Sequence, residues 1–255
     1  MSDDVYDPRL LVRGEGPPVI LVPGLNGTGD LFYRQVPPLR RAFRVATYSL
    51  RHQADHFDEL VADLAQIVEI VAPADRRATI IGESFGGALA LSFALAHPDL
   101  VESLVILNSF PYFPDQIRLR LAVAGLTMLP SGALSMLRYL AAFRLHSART
   151  SRADVRQFIQ LTAHASRVGY RNRLKLLTRF DVRDRLGEIR VPTLFLAAEC
   201  DHLVPAVEQA REMAARVPSS VVRILDGHGH ICLIAPGVDL AAILHEWRMG
   251  TEHSR

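Results

Sequence analysis

Short apolar runs alternate with helical patterns along this chain, and the alternation stops at Phe110 and resumes at Val191. The runs at 18–22, 44–48, 79–82 and 104–108 are rich in β-branched residues, as strands require. Between them, Leu60, Val61, Leu64, Ile67, Val68 and Val71 recur at helical spacing, with Asp58, Asp63 and Glu69 on the other side, and a second helix is expected over 85–96. Strand, helix, strand in this rhythm predicts a mostly parallel sheet with helices on both faces. After the interruption the rhythm returns with strands at 193–197 and 221–225 and helices at 207–216 and 238–247. Inside it only helical patterns occur, at 115–128, 133–145, 153–165 and 170–178. The expectation is an α/β core of residues 1–110 and 191–255 carrying an all-helical cap, residues 111–190.

Charge marks the same boundary. The chain of 255 residues has a formal net charge of +2, but residues 111–190 hold 14 Arg and Lys175 against 5 acids, a net +10. The remainder carries −8, with 14 basic and 22 acidic side chains. At 49% apolar and 22% charged, the chain can bury a full core, which excludes a disordered protein and a small disulfide scaffold. Two cysteines, Cys200 and Cys232, suit a reducing compartment as free thiols. The first residues are acidic where a secretory signal is basic, and the apolar stretch 121–137 is broken by Gly125, Pro130, Ser131, Gly132 and Ser135. A cytoplasmic protein is expected.

The strongest local signal is Gly82-Glu83-Ser84-Phe85-Gly86, directly after an apolar run and directly before a helical one. A serine on so sharp a strand-to-helix turn is strained, and side chains two positions away would collide with neighbouring backbone, so glycines flank it. The turn exposes the Ser84 hydroxyl above the sheet, at a helix N-terminus that favours developing negative charge. A serine hydroxyl is a poor nucleophile alone and needs a base and an orienting acid. His228 and His230, in Leu225-Asp-Gly-His-Gly-His230, both lie on a loop that can reach Ser84. His230 is favoured, because Gly229 frees the backbone before it and Ile231-Cys-Leu233 after it reads as a buried anchor. For the acid, Asp201 follows the run ending at Cys200, with Asp226 as runner-up and Glu199 close to Asp201 in the chain. The other plausible strand end carries Asn108, which cannot supply a charge. The order Ser84, Asp201, His230 fits an elbow architecture.

Pro23-Gly-Leu-Asn-Gly-Thr-Gly29 leaves an early strand as a glycine-rich loop. Leu25 and Phe85 N–H groups are the candidate oxyanion donors. The loop lacks both the Lys-Ser/Thr ending of a phosphate cradle and the G-x-G-x-x-G spacing, so nucleotide binding is not expected.

On these motifs, with Leu203-Val-Pro205 after Asp201, the chain resembles the α/β-hydrolase superfamily from Val19 to Trp247. The segment 23–32 together with Gly-Glu-Ser-Phe-Gly-Gly is also similar to a branch with lipid acyltransferases and bacterial esterases. The resemblance implies an eight-stranded sheet with Ser84 as nucleophile, Asp201 as acid, His230 as base and a helical cap. Here Pro23-Gly24 stands where many members carry His-Gly, and one strand, around 5–12, fits ahead of Val19, so that one edge strand is missing.

The reading is a serine hydrolase cleaving a small-molecule carboxylic ester through an acyl-enzyme, with no metal or organic cofactor and no nucleic-acid partner. Acyl transfer or thioester cleavage on lipid or carrier-bound acyl groups uses the same residues, and a non-turnover ligand receptor is the alternative of another class. Asn26, with Phe110, Tyr112 and Phe113 at the cap entrance, are the candidate substrate contacts and point to an apolar acyl or aryl group. The cap arginines read first as a solvated face over apolar packing, and second as a site for an anionic carrier or lipid surface. His52 and His56 share an H-x-x-x-H spacing without a third ligand nearby, so a metal site is not expected there. The sequence leaves the oligomeric state open.

Overall fold

The computed structural model describes residues 8–73, 77–113, 115–128, 149–163 and 165–252. Seven strands form one sheet in the order β1-β3-β2-β4-β5-β6-β7. They are β1 (Leu11–Arg13), β2 (Pro18–Val22), β3 (Arg44–Thr47), β4 (Ala78–Glu83), β5 (Val101–Leu107), β6 (Thr193–Ala198) and β7 (Ser220–Leu225). All pairings are parallel except that of β1 with β3.

The resemblance implied eight strands; seven are found among the described residues. The strand expected around 5–12 is short and starts later, at Leu11. Gly14 and Gly16, with φ of 82° and 115°, turn the chain immediately after it. Its three residues are all exposed, so nothing on the core side extends it.

The central strands read as continuous apolar runs because both faces are covered. Ile20, Ile80, Leu104, Ile106 and Phe195 enter one core with α2 (Phe57–Val71), α3 (Phe85–Ala96) and α7 (Ala206–Ala214). Their neighbours Val19, Leu21, Ile81, Val105 and Leu194 enter the other, with α1 (Val36–Leu39) and α8 (Leu240–Glu252). Helix α2 starts where expected because Glu59, in its first turn, accepts the Asp55 and His56 N–H groups at 2.7 and 3.1 Å.

Between β5 and β6 the chain is helical, with α4 (Gln116–Met128), α5 (Arg152–Ala163) and α6 (Arg167–Leu177). The helix expected at 133–145 lies outside the described residues. Helix α6 begins three residues before the expected Tyr170, because Ser166 caps it by accepting the Gly169 N–H at 3.1 Å. The two ends of the insertion meet: Tyr112 and Asp181 form an antiparallel bridge, and Val182 N–H donates to the Pro111 carbonyl at 2.9 Å. Among the described residues no helix is long and apolar enough to cross a membrane.

Candidate active site

Ser84 joins β4 to α3 with φ 54° and ψ −119°, a left-handed conformation that few L-residues adopt. The turn closes only because its neighbours lack side chains. A Cβ on Gly82 would overlap the Gly86 carbonyl, and one on Gly86 would overlap the Val22 and Pro23 carbonyls. The backbone is also tied: Ser84 N–H donates to Leu107 O at 2.9 Å, and Ser109 Oγ donates to Ser84 O at 2.7 Å.

The three residues expected from chain order lie in one hydrogen-bonded line. His230 Nε2 is 3.0 Å from Ser84 Oγ, and His230 Nδ1 is 2.7 Å from Asp201 Oδ2. Asp201 Oδ1 accepts the Leu203 and Val204 N–H groups at 2.8 and 3.1 Å, so both carboxylate oxygens are held. Burial pulls the His230 pKa down, but the hydrogen bond and charge of Asp201, with the charge of Glu83, more than offset it, and the net shift is upward.

The alternatives fall elsewhere. His228 is buried against Gly237, with no partner for its Nδ1 among the described residues, and burial followed by the charge of Arg149 lowers its pKa. Glu199 accepts the Gly227 N–H at 2.8 Å. Asp226 acts on His228 only through its charge, and His230 turns to Asp201 instead. Cys200 and Cys232 are both free, and burial pushes the Cys232 thiol well up. No cluster of three metal-ligating side chains exists among the described residues.

The glycine-rich loop packs on the elbow and forms a turn in which Gly27 N–H donates to Gly24 O at 2.9 Å. Phe85 opens α3, where a backbone N–H has no intrahelical acceptor. The Asn26 side chain braces its own loop, donating to Thr28 Oγ1 at 3.1 Å. Phe110 is fully enclosed, edge-on to Phe113 with centroids 5.1 Å apart, so its ring belongs to the core. Tyr112 lies under the Arg183 guanidinium, 3.9 Å from its ring centroid, and serves the neck of the insertion. Of the three aromatics only Phe113 lines the groove of about 630 Å³ beside Asp201, with Gln116, Ile117 and Leu203.

Four residues escaped the sequence reading. Asn108, rejected there as an acid, has φ 46° and links the segments that carry Asp201 and His230: its Nδ2 donates to His230 O and its Oδ1 accepts Ala198 N–H, both at 2.7 Å. Gln35 clamps the chain after His230, donating to Leu233 O and Val238 O at 2.6 and 2.9 Å and accepting Leu240 N–H at 3.0 Å. Glu83 is buried beside His230 and Asp201, its Oε1 without a partner among the described residues. Arg173, in α6, is 2% exposed and bonds to the glycine-rich loop. Glu83 fills a variable position of the G-x-S-x-G motif, and the other three sit in no spacing pattern. The unusual placement of a polar residue at a strand end signals Asn108 and Glu83, an arginine among leucines signals Arg173, and Gln35 carries no signal in the sequence.

A family model described as alpha/beta hydrolase fold matches residues 17–235, and the chain belongs to that family. It is 29% identical to a pimeloyl-[acyl-carrier protein] methyl ester esterase of Vibrio atlanticus, across 90% of this chain and 92% of that protein. It is also 29% identical to the RutD protein of Serratia proteamaculans, which carries the name of a carbamate hydrolase, over 94% of this chain and 93% of the other. Among solved structures, the esterase EaEST from Exiguobacterium antarcticum superposes with a TM-score of 0.84 at 18% identity, covering 93% of this chain and 94% of that one.

Proposed function

We propose that the chain is a serine hydrolase of carboxylic esters, with Ser84 as nucleophile, His230 as base and Asp201 as the orienting acid. The observation that carries this reading is the unbroken line from Ser84 Oγ through the His230 ring to Asp201, at 3.0 and 2.7 Å. Ser84 Oγ attacks the acyl carbonyl carbon as His230 Nε2 takes its proton, and the carbonyl oxygen becomes an oxyanion facing the Leu25 and Phe85 N–H groups. Collapse of this intermediate breaks the ester C–O bond, and His230 returns the proton to the departing alcohol. Water, deprotonated by His230, then releases the acid from Ser84. Asp201 keeps Nδ1 protonated, so that Nε2 is free to accept. Each oxyanion donor contributes ~2.7–4 kcal/mol to such a transition state.

In this reading residues 111–190 cap the core of residues 1–110 and 191–255, and the two free thiols suit a reducing, cytoplasmic setting. The preferred acyl or aryl group is apolar, in keeping with Phe113, Ile117 and Leu203 along the groove beside Asp201. A carrier-bound acyl group is a second reading, favoured by the net +10 of residues 111–190 and by the acyl-carrier ester named for the Vibrio relative.

The test is labelling of Ser84 by a fluorophosphonate combined with turnover of chromogenic esters and thioesters of graded chain length. Ser84→Ala is expected to lose the label and at least ~10³-fold in kcat with Tm retained. A Ser84→Ala protein with wild-type kcat would falsify the mechanism.

A further inference from the structure

Resting on the reading above, in which Leu25 supplies an oxyanion donor, we infer that Arg173 is a positioning residue that fixes the donor turn from the opposite side. The turn Gly24 to Gly27 has four successive carbonyls, and every one is engaged. Gly24 O accepts from Gly27 N–H at 2.9 Å and Gly27 O from Leu50 N–H at 2.8 Å. The middle two are held by one side chain: Arg173 Nε donates to Leu25 O at 2.9 Å and Arg173 Nη2 to Asn26 O at 3.1 Å. Its third nitrogen, Nη1, donates to Arg51 O at 3.3 Å.

In a trans peptide the C=O of one residue and the N–H of the next point in opposite directions, so the Leu25 N–H is opposed to Gly24 O, which Gly27 N–H holds, and the Asn26 N–H is opposed to Leu25 O, which Arg173 holds. The Leu25 and Asn26 N–H groups indeed donate to no acceptor among the described residues. A flip of the Leu25–Asn26 peptide would carry Leu25 O to the side that Asn26 N–H now faces and set a carbonyl next to the Leu25 donor. The guanidinium opposes that flip with a rigid fork that lysine cannot reproduce.

The surroundings are shaped to this contact. Gly27, with φ 78°, and Gly169 in α6 both face the guanidinium; a Cβ on Gly27 would overlap it, and one on Gly169 would sit 3.0 Å from Nη1 and Nη2. No carboxylate pairs with Arg173 among the described residues. Burial pushes its pKa down only to about 10, so it stays charged at neutral pH. A buried cation compensated by carbonyls alone is unusual, and here two of the three, Leu25 O and Asn26 O, belong to the proposed donor turn, the third being Arg51 O.

Two variants test the assignment, with active sites counted by fluorophosphonate titration. Arg173→Lys is expected to lower kcat per titrated site ~10-fold or more, to change KM less than ~2-fold, and to weaken a trifluoromethyl ketone, which binds as a tetrahedral alkoxide, in parallel with kcat. The acid limb of its pH profile should not move, since His230 and Asp201 are untouched. Gly169→Ala replaces a helical glycine with a better helix former, so Tm is expected to hold or rise, while crowding of the guanidinium lowers kcat several-fold. A purely structural role predicts lower Tm and fewer titrated sites in Arg173→Lys, at wild-type kcat per site, and that result overturns the inference. Should Arg173→Lys not fold, Gly169→Ala decides: reduced kcat at undiminished Tm supports the role and unchanged kcat rejects it. Failure of the underlying reading is visible separately, as wild-type protein that neither turns over esters nor takes the label.

Discussion

A carboxyl group buried beside an imidazole alters when that imidazole can accept a proton. Glu83 is such a group: burial first, then opposing effects of His230 and Asp201, put its pKa at about 7 instead of 4.5. Because the folded-state pKa is raised, the stability its proton contributes is complete below pH ~4.5 and lost as pH rises through ~7. Glu83→Gln is therefore expected to gain Tm over the wild type most above pH ~7 and least near pH ~4.5, with a ceiling of about 3 kcal/mol. Its charge also raises the His230 pKa, so the acid limb of kcat/KM should shift to lower pH in the same variant. A limb that stays in place would show that Glu83 is electrically silent in the working enzyme. At the histidines, His230→Gln is expected to cost at least ~10³-fold in kcat and His228→Gln less than ~10-fold, and kinetics showing the reverse would move the base. That Ser84, Asp201 and His230 come together was legible, because motif and chain order constrain their places. Glu83 was not, since its importance comes from neighbours that only folding brings close.

Among the elements, the end of β5 holds the segments of Asp201 and His230 in register. Asn108 uses its carbonyl and its amino group on different segments, so Asn108→Ala leaves Ala198 N–H and His230 O unmet in a buried place, at a cost of ~1–3 kcal/mol for each. Lower Tm and lower kcat together are expected. Asn108→Asp keeps the acceptor but sets a carboxylate against the His230 carbonyl, and should be no better; calorimetry and kcat per titrated site check both. The strands of the core were readable from their apolar runs, and α2 from its periodicity and first-turn acids. The start of α6 was not, because a single Ser166 hydroxyl sets it, and β1 was misjudged because three exposed residues leave almost no pattern.

Over the whole molecule, the division of charge into +10 and −8 was plain in the sequence, but the fate of individual arginines was not. Arg183 and Arg185 pair with Asp181 and Glu188, Arg34 outside the insertion pairs with Asp154 inside it, and Arg173 is internal. If the remaining excess attracts an anionic acyl carrier, kcat/KM for a negatively charged ester should fall between ~10 mM and ~500 mM salt while that for a neutral ester stays level. Equal salt responses would assign those arginines to solvation alone. The bridge between Tyr112 and Asp181 has a further consequence for enzyme engineering and for descent. An insertion that leaves and returns through adjacent residues can be exchanged for another without disturbing a strand. Because α6 also holds the donor turn, a transplanted insertion brings substrate preference with it but retains speed only if it carries its own guanidinium to Leu25.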